Sequence, residues 1–347
     1  MASLALLAAL CAPGVQRGWA DEAPVKPGPA PVAPVEPNAT PAGEPPLEQS
    51  PEQSPEQPPD PLAAQMAPLL AAVEGKAREA DVRALMRAPA VHMPRFELAA
   101  ALRLAHAGGP YAARALRELL ESPEARVRRM ALDGIRQAGL RTRGTSSDDR
   151  ELARALRDDD PELQRLAVEA LGRVGLAEDV ESLVAALESE SGPMVLAAEH
   201  ALAVLTGASQ GSTAGRWASW WQRNREPLTR AVALALDELE EEARVVPEGE
   251  EGAQALVAQE QQAWALVERD AWLLLPDVAN RARSWMTQGE VAGRVRGYRL
   301  AAALRSLDLV GDLERAQRSG ESDPAAAAAL ERALAAYGMQ GLEKKDR

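Results

Sequence analysis

The chain has 347 residues, a net charge of −13 and a pI near 5.0, which argues against a general nucleic-acid binder, ordinarily a basic protein. Its 46% hydrophobic content includes one Phe, three Tyr and seven Trp, so a core must be built from Ala and Leu. Both are strong helix formers, and almost no sheet is expected. The single cysteine, Cys11, lies in an N-terminal apolar run, leaving the body without a disulfide, a Cys-based zinc site or a thiol nucleophile.

Leu4 to Val15 is an Ala/Leu run followed by Gly18-Trp19-Ala20 and then Asp21-Glu22. The run has signal-peptide length and small residues at the cleavage position, although Met1-Ala2-Ser3 carries no Lys or Arg. It is too short to span a membrane, which takes ~20 apolar residues. Residues 1–20 are therefore expected to be an export signal, placing the mature chain in the periplasm or outside the cell with no membrane-spanning segment. Residues 21–61 follow as a proline-rich linker, with Ser50-Pro51-Glu52-Gln53 repeated as Ser54-Pro55-Glu56-Gln57. Such a segment lacks the apolar mass to offset its ordering entropy.

Helical hairpins fill residues 62–226. Arg150–Val174 and Val180–Gly207 are related by a shift of 31. Leu152, Leu156, Leu163, Ala167 and Leu171 fall on Leu183, Leu187, Met194, Ala198 and Leu202. A shift of 36 in the other direction reaches Leu116, Leu120, Val127, Ala131 and Ile135. An earlier, divergent unit places Phe96, Ala100 and Leu104 opposite the last three, with Leu62–Glu74 as a capping helix. A recurring offset with matching anchors marks a solenoid, in which stacked neighbours bury what no unit buries alone. Asp160-Pro161-Glu162 supplies an N-cap, a first-turn proline and a carboxylate facing the helix dipole. Ser122-Pro123-Glu124 offers the same roles, and Gly139, Gly175 and Gly207 stand where left-handed C-caps are expected.

The aspartate–proline turn, Leu163-x-x-x-Ala167-x-x-x-Leu171-Gly172 and Val174-Gly175 resemble the HEAT-repeat family. The likeness is to the short bacterial units related to those of phycobilisome lyases. The resemblance implies right-handed stacking of helix pairs and a protein-binding surface, and it carries over no catalytic residue.

Trp217, Trp220 and Trp221 lie at i, i+3 and i+4 of the next helix. They are read as a terminal cap over the last repeat or as an aromatic binding site. Residues 227–347 are expected to form a C-terminal helical region, either a bundle or degenerate repeats. Its helices are placed at Leu228–Val245, Ala253–Leu275, Asp277–Thr287, Val291–Leu307 and Ser322–Tyr337, with Pro276 ending the second.

From Leu62 to Arg143 there are 14 Lys+Arg against 8 Asp+Glu, so the remainder is more acidic than the whole. This basic stretch is read as a solvated face, or as a surface for an acidic partner or another copy's acidic half. Arg126, Arg128 and Arg129 are its densest run and, with the three tryptophans, the candidate partner-binding residues. His92, His106 and His200 stand apart, and no phosphate loop, nucleophile elbow, zinc helix or dinucleotide fingerprint is present. No catalytic residue, cofactor or metal is assigned. The expected function is a non-catalytic scaffold for a protein partner, with self-association as a further reading. The alternative is a lyase-like enzyme or accessory that binds a small ligand.

Overall fold

The computed structural model describes residues 60–74, 77–142, 148–241 and 249–339. The chain divides into Met1–Asp60 and Pro61–Arg347, and everything below concerns the second unit. Apart from Asp60 and Pro61, the export-signal and linker segments lie outside the described residues. The regular elements of the described residues are helices, and no strand is formed.

After the capping helix α1 (Pro61–Ala72) come four hairpins, each an A helix followed by a B helix. They are α2 (Glu79–Arg87) with α3 (Pro94–Ala107), α4 (Gly109–Glu118) with α5 (Ala125–Ala138), α6 (Asp148–Ala155) with α7 (Pro161–Val174), and α8 (Asp179–Ala186) with α9 (Gly192–Thr206). The B helices stack in order, α3 on α5 on α7 on α9. The anchors Val127, Ala131, Ile135, Leu163, Ala167, Leu171, Met194, Ala198 and Leu202 are all buried. The fold is an all-α solenoid of stacked hairpins.

The turns follow the expected chemistry with two exceptions. Asp160 caps α7 by accepting from the Glu162 N–H at 3.0 Å, and Gly139 and Gly207 are left-handed. Gly175 is not, since its φ is −65°. It is needed for space, because a Cβ there would stand 2.3 Å from the Leu171 carbonyl oxygen. Ser122 does not cap α5 either; the N-cap residue is Glu124.

Beyond the fourth hairpin, α10 (Ala214–Glu241) continues through Pro227. The boundary expected between residues 226 and 227 therefore falls inside one helix. Pro227 is exposed, so water replaces the backbone bond that its ring removes. Next come α11 (Gly249–Asp270), a 3₁₀ turn (Ala271–Leu274), α12 (Leu275–Met286), α13 (Val291–Leu304), α14 (Val310–Ser319) and α15 (Pro324–Ala336). Pro276 opens α12 instead of ending α11, a first-turn position where its missing N–H costs nothing. Helix α12 packs on α13, α14 on α15, and α13 on α15. The C-terminal region is thus two further hairpins with stacked B helices.

A shared clamp identifies these as repeats. In α5 the fourth residue, Arg128, binds both oxygens of Asp158 at 3.0 and 3.1 Å. Its Nη1 donates to the Ser122 and Pro123 carbonyls at 2.9 Å. In α13 the fourth residue, Arg294, binds both oxygens of Glu321 at 2.8 and 3.0 Å and donates to the carbonyls of Gln288 and Gly289. Each acid stands two residues before the aspartate that caps the next B helix and accepts that residue's N–H. The first junction carries a neutral counterpart, the Ser122 hydroxyl donating to Glu97, the fourth residue of α3, at 2.7 Å. Bidentate geometry at partly buried positions makes such pairs stronger than ordinary surface ion pairs.

Hydrogen bonding from Arg294 holds the Glu321 carboxyl below its ordinary range. A depressed carboxyl pKa stabilises the fold above the unfolded pKa, and that contribution vanishes as pH falls through the folded value. Glu321→Gln is expected to lower the thermal midpoint at pH 7, with a deficit that closes below about pH 4. Melting curves at both ends of that range check it; an equal deficit at pH 7 and pH 3 would refute it.

The C-terminal hairpins do not extend the stack; they return along its edge. Arg141 and Ser306 form a parallel bridge. The Arg141 N–H donates to the Arg305 carbonyl at 2.8 Å, and the Leu307 N–H to the Arg141 carbonyl at 2.7 Å. Gly338, two residues beyond α15, lies against Gly109, two residues beyond α3 and the first residue of α4. The ends of B helices therefore meet, bringing the negative poles of their dipoles together. Arginines offset this reciprocally. Arg305 donates to the Ala138 carbonyl at the end of α5 at 2.6 Å, and Arg141 reaches the Leu304 carbonyl at the end of α13 at 3.5 Å. Burial and the neighbouring Arg305 push the Arg141 guanidinium down to about 10. Arg305→Ala, which strips Ala138 of its charged donor, is expected to cost about 2 kcal/mol. Hydrogen exchange should quicken at the seam, and unchanged protection of residues 139–142 would contradict this role.

Candidate functional site

The register of the hairpins defines which B-helix positions face away from the A layer. They are Arg95, Leu98, Leu102 and His106 on α3, and Arg126, Arg129, Asp133 and Gln137 on α5. On α7 they are Glu162, Arg165, Glu169 and Arg173, and on α9 Leu196, His200 and Val204. All are exposed or half-buried. This B face is charged in its middle and apolar at both ends.

The middle is a lattice of compensated charge. Arg129 pairs with Asp160, Arg136 with Asp133 and, at 3.8 Å, with Glu169. Arg165 pairs with both Glu162 and Glu169. Hydrogen bonds from Arg165 and Arg129 hold the Glu162 and Asp160 carboxyls below their usual range. The ends differ. Leu102 is 41% exposed, Leu196 67% and Val204 48%, large apolar side chains with water on them. Between α5, α7 and α9 lies a cleft of about 260 Å³ bordered by Arg136, Glu169, Gly172, Arg173, His200 and Val204. Gly172 forms its floor because a Cβ there would stand 2.7 Å from the Ala201 Cα, so the two helices touch by their backbones.

The candidate residues fall into three groups. Arg126 is exposed and lies on the B face. Arg128 and Arg129 are occupied in holding the next repeat through Asp158 and Asp160. Their run reads as a basic patch in sequence because the acids that neutralise it are 30 and 31 residues away. Trp217 is fully buried, donates to the Gly211 carbonyl at 2.7 Å and meets Trp220 edge-on at 5.7 Å. Trp221 is also buried and stacks on Trp272 at 6.2 Å. Only Trp220 is half-exposed. The cluster joins α10, which packs on α8, to the 3₁₀ turn before α12. Leu102, Leu196, Val204 and Arg173 were not singled out by sequence.

Among the described residues no three His, Cys, Asp or Glu side chains gather as a metal site, and no helix is long and apolar enough to cross a membrane. A wider cleft of about 480 Å³ between α10 and α12 contains Asp237, Glu240, Asp277, Asn280 and Arg281. Arg281 is already held there by Asp237 at 2.8 Å and Glu240 at 3.0 Å.

Residues 135–203, from the end of α5 into α9, match the family model for HEAT repeats. No curated protein matches the chain. The hairpins are HEAT-like, and HEAT repeats commonly serve as scaffolds for protein interaction.

Proposed function

We propose that this HEAT-like solenoid is a non-catalytic scaffold acting outside the cytoplasm, and that it holds a protein partner on the B face of its first four hairpins. The observation that carries the reading is the exposed Leu102, Leu196 and Val204 at outward positions of a layer whose middle is a lattice of ion pairs. Large exposed apolar side chains that neighbour one another, as Leu196 and Val204 do on α9, mark contact surfaces more often than scattered ones do. The apolar run read as an export signal and the proline-rich stretch that follows it in the sequence support the location.

The rival, a lyase-like enzyme or accessory, calls for a concave site with convergent, unoccupied polar groups. The ion pairs of Arg281 already fill that role in the cleft between α10 and α12, which favours the scaffold.

Retention of proteins from native envelope extract on immobilised full-length chain tests the proposal. A specific protein retained by the wild type should be lost with Leu102→Asp and Arg126→Glu, and kept with Arg157→Glu, an exposed position in an inter-helix turn. Retention indifferent to the B-face substitutions would overturn the assignment of the surface.

A further inference from the structure

Among the described residues, two of the uncovered apolar patches carry opposite charges. The first is the Leu196–His200–Val204 stripe of α9. Beside it stands Arg173, which makes no ion pair among the described residues, because Arg136 and Arg165 take the nearby Glu169. Arg305 lies close enough to Arg173 to repel it, so the rim of the stripe is positive. The second patch is the first half of α11. Ala255, Val257 and Ala258 are exposed and Leu256 is half-buried, with Val257 at 53%. A helix turn that is apolar on every side is ordinarily covered. One helical face there runs through Glu250, Gln254 and Val257, all exposed, and its charge is negative. The later half of the same helix, with Ala263, Trp264, Leu266 and Val267, is buried, so the uncovered turn continues a packed helix.

We propose that the partner seated on the α9 stripe is a second copy of this chain. The Ala255–Ala258 turn of one copy packs on Leu196 and Val204 of the other, with Glu250 directed toward Arg173. This rests on the reading of the B face as a protein-docking surface and names its occupant. Leu196 and Val204, eight residues apart, span about 12 Å along α9, close to the roughly 10 Å that separates Glu250 from Val257 along the exposed face of α11. The contact is heterologous, groove against helix, and each copy carries both halves. The opposite charges set orientation and encounter, while the apolar area supplies most of the affinity.

Light scattering with the full chain, from micromolar to several hundred micromolar, tests this. The wild type should gain mass with concentration. Leu196→Asp and Val257→Asp should each weaken association at least ~10-fold, equivalent to about 1.4 kcal/mol. Arg173→Glu should weaken it as well, and pairing Arg173→Glu with Glu250→Arg should restore it. A mixture of Leu196→Asp with Val257→Asp protein should form a one-to-one pair, since each retains the half that the other lacks. Thermal melts of each variant establish that it is folded. A wild type monomeric throughout, or association indifferent to Leu196→Asp and Val257→Asp, would overturn the proposal. If the wild type is monomeric while extract proteins are still lost with Leu102→Asp, this inference fails and the scaffold reading stands.

Discussion

Trp217→Ala is expected to destabilise the chain by about 3–5 kcal/mol, the range for removing a buried tryptophan from a packed interior. Its indole is wholly excluded from water, fills the joint between α10 and the loop before it, and satisfies the Gly211 carbonyl. Loss of the ring opens a cavity and leaves that acceptor without its donor. Because the joint connects the two sets of hairpins, the loss should also divide unfolding into two steps. Stacked repeats otherwise share stability with their neighbours. Denaturant unfolding followed by far-UV dichroism checks both points. A midpoint within error of the wild type would show that the indole packs less tightly than its burial indicates.

Gly172→Val should cost about 1–3 kcal/mol, the usual effect of forcing bulk into a packed interface. The atom nearest the added Cβ is backbone, the Ala201 Cα at 2.7 Å, so a rotamer change cannot relieve the clash. Helices α7 and α9 must separate, which deforms the floor of the B-face cleft. Gly192→Val is the matched control: a Cβ at Gly192 meets nothing within 4 Å, and this change at the start of α9 should be much milder. Equal costs at the two positions would remove the argument from close approach.

The first four hairpins were legible because their B helices keep apolar anchors at i, i+4 and i+8, and because an Asp-Pro pair announces a helix start. The two C-terminal hairpins were less so, and the clamp shows why. Arg128 reaches its acid 30 residues on and Arg294 reaches its own 27 residues on, so a fixed-offset comparison aligns one pair and misses the other. Helix α14 has no readable sequence pattern, since its two buried side chains, Val310 and Leu313, are too few to set a period. The return of the chain along the B-helix ends rests on backbone bonds between Arg141 and Arg305–Leu307, which no side-chain pattern encodes. The exposed stripe of α9 was hidden for the opposite reason. GPMVLAAEHALAVLT is apolar nearly all round, and periodicity alone cannot separate its buried Met194, Ala198 and Leu202 from its exposed Leu196 and Val204. Arg128 and Arg129 looked free because sequence shows a cation's neighbours along the chain and not across the stack.

The central claim, that the B face is where a protein is held, is tested most directly by site-specific photo-crosslinking in living cells. A photoreactive residue placed at position 102 or 196, both on the B face, should give a discrete adduct of higher mass. The same residue at position 83 on α2, an A helix, should give none. Adducts confined to position 83, or no adduct from either B-face position, would contradict the account.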